Sequence, residues 1–492
     1  MPLAHRRGKG QQCTHPEWHN EPGRRNIVPM TMWVPDLAAR RGPLYQAIVE
    51  ALAHDTSRGV LSTGQRLPTH RELADKLGVT VGTVTRAYAE AARRGLVSGE
   101  VGRGTFARGR AVVETSYPIE RDAGLVDMSV NHPPISGDLD PGPLLARTMT
   151  QLVQSRDLTG LMGYAPDGGS EAHRAAGAEW IRRSGLSASA EQVLVTSGSQ
   201  HGLTAVLATL LRPGDLVLTE SLTYAGMKAL AELLHVRLQG LPMDAQGLRP
   251  DAFEEACRTG AARALYCVPT LQNPTSAVMP ESRRREVAAI ARAHGVLIVE
   301  DDVYGLLLDP APPPLASFAP EISYYLTGTA KLLAPGLRVG YLLAPPGEWA
   351  RLAGGVRATT WMAAPLMAEI AARWIADGTA DELRRRKREE VRARQAVARE
   401  ALARFRVQCQ PESFHLWLSL PEPWRSDAFA EHARRRGILV NPSQAFLVGP
   451  GAAPAAVRVC LGPPRDREQL RSGLRTLAEA IEERPEAMAM VV

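Results

Sequence analysis

The chain has 492 residues, 45% hydrophobic and 22% charged, with a formal net charge of +6. This is the composition of an ordinary soluble globular protein, too long for one compact domain at about 100–200 residues each. No apolar run reaches the roughly 18–20 residues of a membrane-spanning helix, and five scattered cysteines (13, 257, 267, 409 and 460) with no C-x-x-C pair leave neither a disulfide framework nor a zinc site. A reducing, cytoplasmic setting fits, with the cysteines packed in the core. The first 40 residues are polar and rich in Gly, Pro and His, without the apolar segment of a signal peptide. They are expected to be an unstructured tail, and Met30 or Met32 is an alternative start.

In "GPLYQAIVEALAHDTSRGVL", Leu44, Ile48 and Leu52 recur every four residues and predict a helix face. In "LPTHRELADKLG", Thr69 followed by Glu72 is a capping box that opens a second helix, closed by Gly78. A third helix, "VGTVTRAYAEAARRG", follows a short turn, so the pair is a predicted helix-turn-helix. "LVSGEVGRGTFA" then predicts a β-hairpin turning at Gly102–Gly104. A DNA-reading helix needs short polar or basic side chains near base edges and donors for phosphates. Thr80, Thr83, Thr85 and Arg86 lie on or at the third helix, Arg71 lies on the second, and Arg103 marks the hairpin tip.

Residues 44–107 resemble the winged-helix domain of the GntR superfamily of bacterial transcription factors through L-P-x-x-R-E-L-A, G-V-x-x-x-T-V, R-A-Y and G-x-G-T-F. The resemblance implies that Arg71, Thr80, Thr83, Thr85, Arg103 and Gly104 face DNA. Relatives often carry basic or polar residues where this chain has Val81 and Thr85. The winged helix is assigned to residues 41–108 and a linker to residues 109–125.

From residue 126 to about 485, short apolar runs ("QVLVT", "DLVLTE", "ALYCVP", "GVLIVEDD", "YYLTG") alternate with helical stretches. This predicts an α/β domain with a mostly parallel sheet, whose ligands gather at the carboxyl ends of strands. A smaller subdomain is expected over about residues 365–485. At those strand ends stand "SGSQ", an anion site at a helix start with Ser199 and Gln200; Tyr224, an aromatic plate; Asn273 before a proline; and Asp301, Asp302 and Tyr304. Each is common by itself. In "TGTAKLLAPGLRVGY", Lys331 lies in an apolar setting that favours a nucleophilic amine, with Arg338 seven residues on. Phosphate, flat ring, ring nitrogen, hydroxyl and aldehyde together describe pyridoxal 5′-phosphate.

At these residues the domain resembles the fold-type I aminotransferases. The resemblance implies that Lys331 forms a Schiff base (an aldimine). It also implies that Ser199, Gln200, Thr329 and Arg338 hold the phosphate, Tyr224 stacks on the ring, and Asp301 pairs the ring nitrogen, Asp302 being the lesser candidate. Asn273 and Tyr304 would meet the 3-hydroxyl, Arg458 a substrate carboxylate, and Tyr164 the partner subunit's phosphate. Relatives often have S-x-S-K where this chain has Gly328, Thr329, Ala330 and Lys331. The charged run "RRRK" at 384–387 reads as a solvated helix face, and His415 and His432 as packing or surface residues.

A GntR-type winged helix joined to such a domain is the arrangement of the MocR subfamily. It implies a cytoplasmic bacterial regulator that binds a double-stranded DNA operator and pyridoxal phosphate. An amino acid or amine effector is also implied, as is a homodimer in which closure of the small subdomain changes the spacing of the two winged helices. The alternative is a working aminotransferase with an accessory DNA-binding domain, since the residues that bind an amino acid also transaminate it.

Overall fold

The computed structural model describes residues 33–37, 43–57, 60–61, 65–93, 96–100, 104–107, 125–135, 137–154, 158–449 and 451–483. Two compact units divide the chain, Met1–Arg110 and Ala111–Val492.

The first unit holds helices Leu44–Ser57, His70–Leu77 and Val81–Arg93 and a hairpin of strands Val97–Glu100 and Gly104–Ala107. Its core is Ile48, Leu52, Leu73, Val84, Ala87 and Tyr88. Leu44 is 52% exposed and does not join Ile48 and Leu52 in that core. Packed structure also begins before residue 41: Trp33 is buried, with Nε1 donating to Asp55 Oδ2 at 2.9 Å. The expected tail therefore ends earlier than composition indicated, and its remainder lies outside the described residues. The capping box forms with both bonds in place, Glu72 N–H to Thr69 Oγ1 and Thr69 N–H to Glu72 Oε2. Gly78 closes the helix at φ 63°. Thr69→Ala, which leaves a first-turn N–H without its acceptor, should raise amide exchange at residues 70–73 about fivefold with the rest of the unit unchanged.

The second unit is built on a seven-stranded sheet in the order Val193–Thr196, Gly340–Leu343, Ser323–Gly328, Leu297–Asp301, Ala262–Cys267, Leu216–Glu220, Arg237–Leu241. Only Gly340–Leu343 runs antiparallel to its neighbours. The inner strands are mostly apolar and buried, as in a sheet covered on both faces, whereas the edge strand Arg237–Leu241 alternates exposed and half-buried residues. Val217, Val299 and Leu326 belong to one core cluster, Leu218, Leu265 and Ile298 to another.

A four-stranded antiparallel sheet, Val407–Gln408, His415–Ser419, Ala456–Cys460 and Asn441–Pro442, forms the smaller subdomain. Its boundary differs from the expected residue 365. Ala368, Ile370, Trp374, Leu383 and Val391 pack in the large core, and the smaller core starts at Val397. Met128 belongs to that smaller core too, since Val126–Asp127 pairs in parallel with Ile438–Leu439. No helix among the described residues is long and apolar enough to cross a membrane.

Candidate cofactor site and nucleic-acid surface

The site of the second unit lies where strand ends meet. Leu297–Asp301 ends on a buried carboxyl whose Oδ2 accepts from the hydroxyl of Tyr266 on the adjacent strand at 2.8 Å. Its Oδ1 is buried with no hydrogen-bond partner among the described residues. Burial pushes this carboxyl up to about 6, while the Tyr266 bond and the Lys331 charge act the other way. Asp301 is thus mostly ionised at neutral pH, with one acceptor unspent. Asp302, next along, is also buried and its Oδ2 accepts from Tyr325.

Lys331 follows the strand Ser323–Gly328, half-buried, with its Nζ donating to the Asn131 carbonyl. Burial, then the charge of Arg458, brings the amine down to about 8. Tyr304 is buried with Lys331 Nζ 5.8 Å from its ring centre. The Tyr304 hydroxyl accepts from Asn131 Nδ2 at 2.8 Å, which leaves its own hydrogen to donate elsewhere. Asn273, at a cis Asn273–Pro274 bond, gives its Oδ1 to Arg458 at 2.7 Å, so its two amide hydrogens remain. Arg458 itself is buried, bonded also to the Ser129 carbonyl, stacked 4.8 Å from the Phe446 ring, and its Nε has no hydrogen-bond partner among the described residues.

At the opposite end of the site, helix Ser199–Leu210 starts after Gly198, which sits at φ 90° with no side chain to cap the helix. A Cβ there would lie 2.8 Å from an Arg338 guanidinium nitrogen, so the close approach of Arg338 needs glycine at this position. Arg338 is exposed, itself left-handed at φ 50°, and reaches the Ser197 carbonyl at 3.5 Å. Ser199 Oγ donates to the Thr327 carbonyl, and a Cβ on Gly328 would meet that oxygen at 2.7 Å. The missing serine at 328 thus has a steric cause: Ser199 fills its place. Thr329 is fully buried with its hydroxyl donated to Val339, facing inward rather than to the helix start. The Gln200 amide reaches Gly226, and the Tyr224 ring lies against the same glycine. Tyr164 is 83% exposed, its ring 5.7 Å from that of Trp361.

These groups fit pyridoxal phosphate. An unpaired buried acceptor suits a protonated ring nitrogen, a side-chain-free helix start beside an arginine suits a phosphate, and a depressed amine suits an aldehyde. Sequence reading missed Asn131, Tyr266 and Gln272, and read His415 only as a packing or surface residue. His415 is fully buried, linking Asn131 Nδ2 and the Gln272 carbonyl, and burial and Arg458 hold its ring down at about 3, hence neutral. The lone tyrosine in the apolar strand "ALYCVP" was the one available signal for Tyr266; nothing local marked the others.

In the first unit, Thr80 and Thr83 share a hydroxyl contact at 2.9 Å at the start of Val81–Arg93, and Thr85 meets His70 Nδ1 at 3.1 Å. Arg86 stacks 4.1 Å over the Tyr45 ring. Arg71 and Val81 are both exposed. Gly104 sits at φ 116° beside the Arg66 guanidinium. Arg103 lies outside the described residues.

Residues 123–477 match the family Aminotransferase class I and II, and residues 44–107 match Bacterial regulatory proteins, gntR family. The chain is 31% identical over 453 residues to an uncharacterized HTH-type transcriptional regulator, YdeF, of Bacillus subtilis, covering 92% of this chain and 97% of that protein. It is 27% identical over 416 residues to PdxR of Corynebacterium glutamicum, an HTH-type pyridoxine biosynthesis transcriptional regulator, covering 82% and 89%. Among solved structures it is similar to LysN, the α-aminoadipate aminotransferase of Thermus thermophilus, complexed with N-(5′-phosphopyridoxyl)-L-leucine. That likeness has a TM-score of 0.67 and 26% identity, over 73% of this chain and 92% of that one.

Proposed function

From the premise that the chain belongs to the aminotransferase class I and II family and carries a gntR-family domain at its front, the MocR arrangement, we propose that it regulates transcription by sensing pyridoxal phosphate together with an amino acid or amine. The observation that carries this reading is the pairing, in one chain, of a winged helix with a site where the Lys331 amine, the unpaired Asp301 oxygen and Arg458 converge. The likeness to PdxR, a pyridoxine biosynthesis transcriptional regulator, supports it.

Pyridoxal phosphate, when bound, supplies an aldehyde that captures primary amines and a ring that withdraws electrons. Lys331 offers the amine, partly uncharged at neutral pH. Ser199, the first turn of its helix and Arg338 would hold the phosphate, with Gln200 beside them. Asp301 would keep the ring nitrogen protonated, while Tyr304 and Asn273 donate to the ring hydroxyl. Tyr224 would lie on the ring face and Arg458 would orient an α-carboxylate. Thr329 would support the loop from inside. The winged helix would hold an operator through Arg71, Thr80, Thr83, Thr85, Arg86, Arg103 and Gly104. Val153, Leu158, Met162, Tyr164 and Trp361 are exposed apolar side chains, three of them on the consecutive helices Gly142–Gln154 and Leu158–Met162. They support a second copy of the chain as partner, with Tyr164 reaching its site.

A second reading, turnover as an aminotransferase, is favoured by the presence of Lys331, Asp301 and Arg458 together. The test combines operator binding with a visible absorption titration. With pyridoxal phosphate bound, an effector should shift the band, change operator affinity at least fivefold and release no keto acid. Sustained keto-acid release with unchanged operator affinity would replace the regulator reading with the enzyme.

A further inference from the structure

The helix Thr379–Ala401 opens in a run of charges, and most of them do what composition implies. Arg385 pairs with Glu382 and Glu389, and Arg386 with Glu382; both arginines and Glu389 are exposed and Glu382 is half-buried. Lys387 departs from the pattern. It is fully buried, and its Nζ donates to the backbone carbonyl of Leu333 at 2.6 Å. Burial and the Lys331 charge push this amine down to about 7, and no carboxylate is among the groups acting on it. A buried amine with one acceptor and no counterion among the described residues is costly to keep charged, and the bond to Leu333 is what offsets that cost.

Leu333 lies two residues after Lys331. Its own N–H bonds to the Thr329 carbonyl, so Lys387 grips the same turn that carries the site lysine. Seven residues along the helix, on the same face, stands Arg394. It is buried and donates to the carbonyls of Leu461, Gly462 and Pro464. The neighbouring Gln395 donates to the carbonyls of Ser413 and His415. Those are the strands and strand ends that carry His415 and Arg458. One rigid element thus holds the lysine turn at one end and the smaller sheet at the other, about 10 Å apart at 1.5 Å per residue.

We propose that Lys387 is a positioning residue that fastens the Lys331 turn to helix Thr379–Ala401, so that filling the lysine site is felt by the strands that carry His415 and Arg458. The ligand arm of this inference rests on the pyridoxal-phosphate reading above; the fastening itself does not. The bond to Leu333 is made to a backbone carbonyl, so it does not depend on the side chain at 333. Because the smaller sheet also supplies Arg458 to Asn273, a shift of the helix reaches the site from both sides.

The test is amide hydrogen exchange on the full chain, free and with pyridoxal phosphate, for the wild type, K387M and K387Q. In the free chain, K387M should speed exchange at residues 331–334 at least fivefold, and K387Q, which keeps an N–H donor one bond shorter, should recover part of that. With pyridoxal phosphate, the wild type should slow exchange at least threefold both at residues 331–334 and over 395–419, whereas K387M should slow the first segment alone. Unchanged exchange at 331–334 in free K387M overturns the fastening. Protection of 395–419 that persists in K387M, or that is missing in a wild type that has taken up pyridoxal phosphate, overturns the coupling, and the latter needs no variant to fold. A wild type that takes up no pyridoxal phosphate overturns the functional reading instead, while the free-chain comparison still decides the fastening.

Discussion

Replacing Lys331 by alanine is expected to abolish borohydride-stable attachment of pyridoxal phosphate and to weaken its retention by at least tenfold, with operator binding by the winged helix in the absence of ligand unchanged. The reason is that, among the described lysines, Lys331 is the one whose Nζ donates to the Asn131 carbonyl and feels the charge of Asp301, whose Oδ1 has no hydrogen-bond partner among the described residues. The same residue gives a pH signature. Its amine, lowered by burial and by Arg458 to about 8, is about one-tenth uncharged at pH 7, against roughly three parts in ten thousand for a lysine at its ordinary value. Only the uncharged amine attacks an aldehyde, and lowering the value moves the plateau to lower pH. Uptake followed by visible absorbance should therefore rise almost tenfold from pH 6 to 7 and flatten above about 8. A rate still climbing tenfold per unit at pH 9 would mean that Lys331 is an ordinary surface lysine.

Arg458→Ala is expected to cost at least 100-fold in the concentration of an α-amino acid needed to shift the bound cofactor's spectrum. The corresponding decarboxylated amine should lose less than about fivefold. Arg458 is buried, and its Nε has no hydrogen-bond partner among the described residues. Removing it takes away the donor for a carboxylate in a water-poor setting, where such a charged bond is worth most. It also strands the buried Asn273 Oδ1 and the Ser129 carbonyl, so some loss of cofactor affinity should accompany it. Arg458→Lys should restore little, because an ammonium cannot span Asn273, Ser129 and a ligand as a planar fork does. Equal losses for the amino acid and its amine would mean that Arg458 is only a structural clasp.

Much of the site was legible because its residues follow strand ends in a fixed order, and a strand end is recognisable from the apolar run before it. Asp301 after "GVLIVE" and Lys331 after "YYLTGTA" are of this kind. Asn131 was not legible, since nothing in "SVNHPP" indicates that its carbonyl takes the lysine and its amide bridges Tyr304 to His415, which lies 284 residues away. Gly328 looked like a lost serine, and only the position of the Ser199 hydroxyl explains it.

By itself the sequence determined the two kinds of domain, the capping box at Thr69 and Glu72, the turn at Gly78 and the parallel-sheet order of motifs, because each depends on neighbours within a few residues. Tertiary structure alone decided that Lys387 leaves the charged face of its helix for the core, that the smaller core begins at Val397 rather than 365, and that Trp33 joins the first unit. A side chain's burial is set by what packs over it from distant parts of the chain. For Lys387 that is the Leu333 carbonyl, which no local pattern can encode.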